Sequence, residues 1–368
     1  MTRILYGFSG EGSGHSSRAR EMMRHLQELG HEVLGASYDR GFANLKDDFE
    51  LVEIEGLSIA SVDNRVSVVK TFTENLAKLP DGIAGLRRLR TARKAFRPEV
   101  VITDFEPMTA YLAQHDGLPL ITLDNQHRMR YVDTPVPPGR SKDALATLAV
   151  IRGLVPRPDV SLVTTFWFGD VKNDRTFLFP PILRREVLRA EPTNDGHVLV
   201  YFTKGFDAFL DRLREQTGER FVVYGTGRVG VDGNCEHRAP SGPGFLDALR
   251  GAKAVISTAG FTLMTEALHL AKPMLALPMA GQYEQELNAH LLADAGYGAS
   301  GRDAGADDEA GPGTGTVASF LADLPRFRER LATYPRADNA AITAKLAELT
   351  ADGGRAAREA HRRRRRGG

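Results

Sequence analysis

Short apolar runs alternate with longer stretches of helical periodicity along most of the chain. Residues 3–8 form a run of the first kind, and Met22, Met23, Leu26 and Leu29 then recur at helical spacing on one side of the following segment. Short apolar runs bounded by turn residues read as buried strands, and three-and-four spacing reads as an amphipathic helix. On this basis strands are predicted at 31–36, 49–54, 100–103, 119–123, 160–164 and 176–178, with helices at about 66–79, 83–96, 107–115 and 144–154. A regular strand-then-helix order predicts a parallel sheet covered by helices on both faces.

At Pro180-Pro181 the character changes, and the charged, structureless stretch 184–196 has the composition of an exposed linker. Beyond it the alternation restarts, with strands at 197–202, 221–224, 254–256 and 274–277 and helices at 206–216, 245–250, 317–333 and 339–349. A length of 368 residues suits two such units. The expected division is a first unit over 1–182, a linker over 183–196, a second unit over 197–350 and a basic tail over 351–368 that is disordered. The Gly-, Ala- and Asp-rich stretch 301–315 is expected to be a mobile loop.

Composition narrows the function. With 42% hydrophobic and 26% charged residues the chain is of ordinary globular type, and a net charge of +1 offers no overall electrostatic case for nucleic acid. No apolar run approaches the roughly 20 residues of a membrane helix, and the first residues enter a strand directly, so the cytoplasm is the expected compartment. The single cysteine, Cys235, excludes an intrachain disulfide and a multi-cysteine zinc site and reads as an incidental loop thiol. The basic helical stretch 86–97 reads as a solvated face, with weak contact to an anionic membrane surface as its alternative.

The chemistry is concentrated in residues 257–288. A small-residue turn, Ser257-Thr258-Ala259-Gly260, joins a strand to a helix. Unpaired amides and the positive dipole end of a first helical turn suit a phosphate, and Thr258 and Thr262 add hydroxyl donors. Glu266, one turn on, is placed to accept hydrogen bonds from vicinal ribose hydroxyls. A loop then delivers Gln282, Glu284 and Gln285, with Asn288 opening the next helix. Lys204, after strand 197–202, lies on the same edge.

The glycine-rich loop at residues 9–14 of the first half allows two readings. A dinucleotide fingerprint starting at Gly10 needs glycine where His15 stands, although Asp39 lies near the place of a ribose-binding acid. Alternatively His15 is a general base, since an imidazole is largely neutral at pH 7 and can take a hydroxyl proton. Asp104 ends strand 100–103 on the same sheet edge and would fix the imidazole tautomer, the role of aspartate in a serine-protease triad.

The ordered set Gly260, Glu266, Lys272-Pro273 through Pro278, Glu284-Gln285 and Asn288-Ala289 resembles the donor region of nucleotide-sugar glycosyltransferases of the GT-B group. Within that group it is similar to UDP-glycosyltransferases and peptidoglycan-type N-acetylglucosaminyltransferases. The resemblance implies an α/β fold of two Rossmann-like domains facing across a cleft, with a terminal helix crossing back to the first domain. It further implies that Thr258, Ala259, Gly260, Phe261 and Thr262 hold the diphosphate, Glu266 the ribose, and Glu284 and Gln285 the sugar hydroxyls; Gln282, in the same loop, and Lys204, through a positive contact on the same edge, are further donor-side candidates. His15, at the end of a G-x-G-H element whose Gly12, Ser13 and Gly14 are acceptor-side candidates, would be the base, partnered by Asp104. Many plant and animal members have a histidine where Ser257 or Thr258 stands here.

The Asp-Phe-Glu-Pro element with Asp124-Asn125-Gln126-His127 resembles a prokaryotic subgroup of GT-B-like proteins, which makes Glu106, Asn125 and His127 acceptor-side candidates. Asp104-Phe105-Glu106 also has the form of the D-x-E metal site of the single-domain glycosyltransferase architecture, against which the doubled Rossmann pattern argues. The function implied is inverting, metal-independent transfer from an NDP-sugar, foremost a UDP-sugar, to a small-molecule or lipid acceptor, with no cofactor beyond that co-substrate. The alternatives are a nucleotide-sugar 2-epimerase and a non-catalytic nucleotide-sugar-binding protein.

Overall fold

The computed structural model describes residues 1–56, 61–62, 65–66, 79–202, 207–214, 218–301, 314–336 and 338–366. Its first half contains strands β1 (Arg3–Phe8), β2 (Glu32–Ser37), β3 (Leu51–Glu53), the small hairpin β4 (Ser61–Val62) and β5 (Arg65–Val66), then β6 (Val100–Asp104), β7 (Leu120–Asp124), β8 (Val160–Thr164) and β9 (Thr176–Phe179). Seven of them form an all-parallel sheet in the order β3-β2-β1-β6-β7-β8-β9. The second half contains β10 (His197–Tyr201), β11 (Arg220–Tyr224), β12 (Gly230–Asp232), β13 (Cys235–Arg238), β14 (Ala254–Thr258), β15 (Met274–Leu277) and β16 (Gly298–Ser300). These pair in the order β12-β13-β11-β10-β14-β15-β16, with β12 antiparallel at the edge.

Both sheets are buried on both faces, as continuous apolar strands require. On β1, Ile4, Tyr6 and Phe8 pack into one cluster with the helix Gly14–Glu28, while Leu5 packs into another on the opposite face. On β10, Leu199 and the pair Val198 and Val200 divide in the same way. Strand order reverses at β1, which lies between β2 and β6, and again at β10, which lies between β11 and β14. Adjacent crossovers depart to opposite faces at such a point and leave a crevice beyond the carboxyl ends of the strands, where ligands of open α/β sheets bind.

Several expectations are corrected. The stretch 184–196 is not structureless: a short helix, Arg185–Arg189, buries Val187 in the second core, and Leu183 exchanges backbone hydrogen bonds of 3.0 and 2.9 Å with the Asn339 side chain. The expected disordered tail is helical as far as Arg366. Left-handed residues Asp352, Gly353 and Gly354 turn the chain, after which Ala357 and His361 are buried and His361 Nδ1 lies 2.9 Å from Asp159 Oδ2, beside an Arg364–Asp159 pair. One side of this basic helix thus meets the first domain, and the arginine run hides that side from a reading of charge alone. Cys235 is no loop thiol but a buried strand residue opposite Phe221, and burial pushes its thiol pKa up.

Asn288 lies inside a helix that already begins at Tyr283, which places Glu284 and Gln285 in its first turn. The expected helix at 317–333 is two helices, Thr314–Ala322 and Leu324–Leu331, with Pro325 in the first turn of the second. In the basic helix Leu79–Phe96, Leu89 is buried while Arg88 and Arg93 bond to Glu53 and Asp116. Most of the expected helix at 66–79, the loop at 302–313 and Lys204 lie outside the described residues.

Candidate active site

The register of β1 against β6 sets Phe8 opposite Asp104, so the glycine loop and the Asp104 carboxylate meet at the first crevice. Gly12 has a φ of +70°, which suits glycine, and His15 enters the helix just beyond it. His15 Nδ1 donates to Asp104 Oδ1 at 2.8 Å, which places the proton on Nδ1 and leaves Nε2 as the basic nitrogen. Sequence reasoning missed Arg18, one turn further along the helix. Its Nε and Nη2 grip Asp104 Oδ2 and Oδ1 at 3.1 and 2.8 Å, and Nη2 lies 3.0 Å from His15 Nδ1.

Asp104 is fully buried and Arg18 nearly so, whereas the His15 side chain stays 12% exposed. Burial alone would push the Asp104 carboxyl up; the charge of Arg18, then that of His15, and their hydrogen bonds outweigh it and hold the pKa below the ordinary aspartate value. Phe105 follows in the left-handed region at φ +56°, a strained position for a phenylalanine, at the turn out of β6.

In the second half Gly260 precedes the nine-residue helix Phe261–His269 without any side-chain cap, so the first amides are left to another partner. Ala259 is buried, and its carbonyl accepts from Asn288 Nδ2 at 3.0 Å. Thr258, Gly260 and Thr262 are partly exposed. The two crevices abut: a Cβ added to Gly14 would lie 2.5 Å from Thr262 Oγ1. Glu266 is only 4% exposed and is held by Arg184, whose Nε and Nη2 donate to its two oxygens at 2.7 and 2.9 Å. Arg184 also lines a cavity of about 700 Å³ between Ser13, Ser16 and Ser17 of the first domain and Pro243 and Leu246 of the second.

Two other expected residues, Asn125 and Glu284, meet across the seam between the halves, while Gln282, Gln285 and His127 bond within their own half. Asn125 Nδ2 and Gln126 Nε2 donate to the Glu284 carboxylate at 2.7 and 3.2 Å, which joins an acceptor-side candidate to a donor-side one. Gln285 Nε2 donates to Gln282 Oε1 at 2.6 Å, and Gln285 Oε1 accepts from Met279 N at 3.1 Å. His127 is fully buried and pairs through Nδ1 with Asp124 Oδ2 at 2.8 Å, a second imidazole–carboxylate pair that sequence reasoning did not assemble.

Glu106 is corrected. It is fully buried and caps the helix Pro107–Asp116, accepting from the amides of Met108 and Thr109, both at 2.7 Å, and from Thr109 Oγ1 at 2.6 Å. Its carboxylate is turned into its own helix end and does not face an acceptor. Asp104 and Glu106 therefore serve different partners and offer no paired-carboxylate metal site.

Two parallel-dominated sheets with covering helices, each with its crevice, are the architecture of the GT-B glycosyltransferases. The chain belongs to Glycosyl transferase family 1, which it matches over residues 2–325, and it is a glycosyltransferase. Two uncharacterized glycosyltransferases of Methanosarcina acetivorans are similar to it, at 24% identity over 80% of this chain and 84% of the relative, and at 25% over 80% and 82%.

Among solved structures, the glycotransferase of kitacinnamycin superposes with a TM-score of 0.66 at 20% identity, covering 94% of this chain and 97% of that one. The spinosyn rhamnosyltransferase in complex with thymidine diphosphate gives 0.61 at 17% identity, over 94% and 99%. These likenesses show the shared two-domain fold. Among the described residues no helix is long and apolar enough to cross a membrane.

Proposed function

We propose that this glycosyltransferase is a cytoplasmic, inverting, metal-independent enzyme that moves a sugar from a nucleoside diphosphate to a nucleophile on a small-molecule or lipid acceptor. The observation that supports this reading best is the His15–Asp104 pair, set against the uncapped turn of the other domain. The acceptor hydroxyl gives its proton to His15 Nε2 as its oxygen bonds to the anomeric carbon, and the bond from that carbon to the diphosphate breaks. Asp104 stabilises the imidazolium that forms. The leaving diphosphate is received by the amides at the start of helix Phe261–His269 and by the hydroxyls of Thr258 and Thr262, fixed dipoles aimed at developing negative charge. Attack from the face opposite the leaving group inverts the anomeric configuration.

Glu266 is assigned to the ribose, which would take over carboxylate lone pairs now shared with Arg184. Gln282, Glu284 and Gln285 are assigned to the sugar, and Asn125 and His127 stay on the acceptor side with Gly12, Ser13 and Gly14. A uridine nucleotide is the first candidate, and the thymidine diphosphate bound to the spinosyn enzyme makes a thymidine nucleotide the second. A thermal-shift screen against nucleoside diphosphates and their sugars tests the reading. Saturating UDP or TDP should raise the Tm, since a ligand at about 100 times its Kd adds roughly 2.7 kcal/mol. A shift with NAD and none with any nucleoside diphosphate would contradict it.

A further inference from the structure

Arg128 has no place in the scheme above, yet it is among the most deeply buried charges in the protein. It opens the four-residue helix Arg128–Tyr131 after β7, is 0% exposed, and reaches across the seam into the second domain. Its Nη2 donates to Asn288 Oδ1 at 2.6 Å, and Asn288 in turn holds the Ala259 carbonyl of the donor turn. A second route leads to the same place. The guanidinium lies 5.7 Å from the Phe166 ring centroid, and Phe166 packs 6.1 Å from Phe261, the first residue of the uncapped helix.

A guanidinium has five N–H donors. Among the described residues, Nε and Nη1 of Arg128 have no hydrogen-bond partner. Glu284 attracts the charge but has its own oxygens bonded to Asn125 and Gln126. Burial is the dominant influence and pushes the pKa of Arg128 down to about 10, still well above neutrality, so the group stays charged. A buried cation with two donor nitrogens unused is unfavourable unless something completes its shell.

From this we infer that Arg128 is an oxyanion-binding residue of the donor subsite, supplied by the first domain and completed by the bound sugar nucleotide. The inference rests on the proposed function, since it takes the turn at Ala259 as the seat of the diphosphate. Two oxyanions share the required chemistry, the diphosphate itself and a carboxylate on the transferred sugar. A planar, permanently charged fork suits either, and contact with the diphosphate oxygens would also place positive charge on the leaving group.

Isothermal titration of the full chain and of Arg128→Met and Arg128→Lys with UDP, TDP, the matching NDP-hexose and the matching NDP-hexuronate decides the matter. Met fills similar space without charge, neutral Arg128→Gln replaces it should the Met protein fail to fold, and Lys keeps the charge. If the diphosphate is the partner, Arg128→Met weakens binding of the free nucleoside diphosphate roughly tenfold or more, and Arg128→Lys recovers part of the loss. If the sugar carboxylate is the partner, binding of the free diphosphate is unchanged and only the preference for the hexuronate is lost. Wild-type affinity for all four ligands in Arg128→Met, or in the neutral Arg128→Gln if the Met protein does not fold, would overturn the inference. If the unaltered chain bound none of the four, the proposed function would fail, and this inference with it.

Discussion

Replacing Asp104 with Asn changes one oxygen to an amide nitrogen at the centre of the first crevice. The carboxylate accepts three hydrogen bonds, from His15 Nδ1 at 2.8 Å and from Arg18 Nη2 and Nε at 2.8 and 3.1 Å. An amide offers one accepting oxygen and turns an NH2 group towards a donor, so at least one of these contacts becomes donor against donor. Arg18, 4% exposed, also loses its counter-charge. Removing one partner of a buried ion pair costs about 3–5 kcal/mol, which a fold of this kind, stable by about 5–15 kcal/mol, can survive.

Turnover should suffer separately. Without a carboxylate on Nδ1 the imidazole can take the other tautomer, and nothing stabilises the imidazolium, so kcat should fall by about 10²- to 10⁴-fold. Donor affinity, to which Asp104 contributes no contact, should hold. The assay is steady-state release of nucleoside diphosphate with any accepted donor–acceptor pair, alongside calorimetric donor binding. A folded Asp104→Asn protein that turns over within about threefold of the wild type, a difference of less than 1 kcal/mol in the barrier, would refute the general-base assignment.

Two further outcomes are expected. Lys272 is 4% exposed, donates to the Thr193 carbonyl at 2.6 Å, and is pushed down by burial to about 8. Its folded pKa lies below the unfolded value of about 10.5, so between these limits the unfolded chain binds the extra proton and stability rises with pH. Denaturant melts of wild type and Lys272→Met between pH 8 and 10 should show a pH-dependent gain of about 2 kcal/mol in the wild type that the variant lacks. Deleting residues 352–368 should lower stability by roughly 2–4 kcal/mol through loss of the buried Ala357 and His361 and of the two contacts to Asp159, read as a lower Tm; an unchanged Tm would show that the terminal helix does not hold the first domain.

The doubled strand-and-helix order was legible because strands buried on both faces are continuous apolar runs, and His15 and Asp104 could be paired because both lie at carboxyl ends of strands on one edge. Other features were legible but overlooked. Asp232-Gly233-Asn234 is a turn signal between β12 and β13, and the proline after Glu106 marks the helix start that Glu106 caps. Arg18, Arg184 and Arg128 were out of reach of sequence reasoning for a different reason. Each acquires its role from a partner far along the chain, at Asp104, Glu266 and Asn288, and only the packing of helices and the closing of the seam brings them together. The arginine-rich end misled because charge was counted along the chain, whereas the helix that forms there hides one side.

Where the nucleotide binds is tested most directly by a crystal structure of the chain soaked with UDP or TDP. The diphosphate should lie on the amides that follow Gly260, with the ribose against Glu266, Arg184 displaced or sharing that carboxylate, and His15 Nε2 facing the side from which the acceptor would enter. A nucleotide seated instead on the glycine loop between Gly10 and Gly14, with Glu266 still sealed by Arg184, would contradict it.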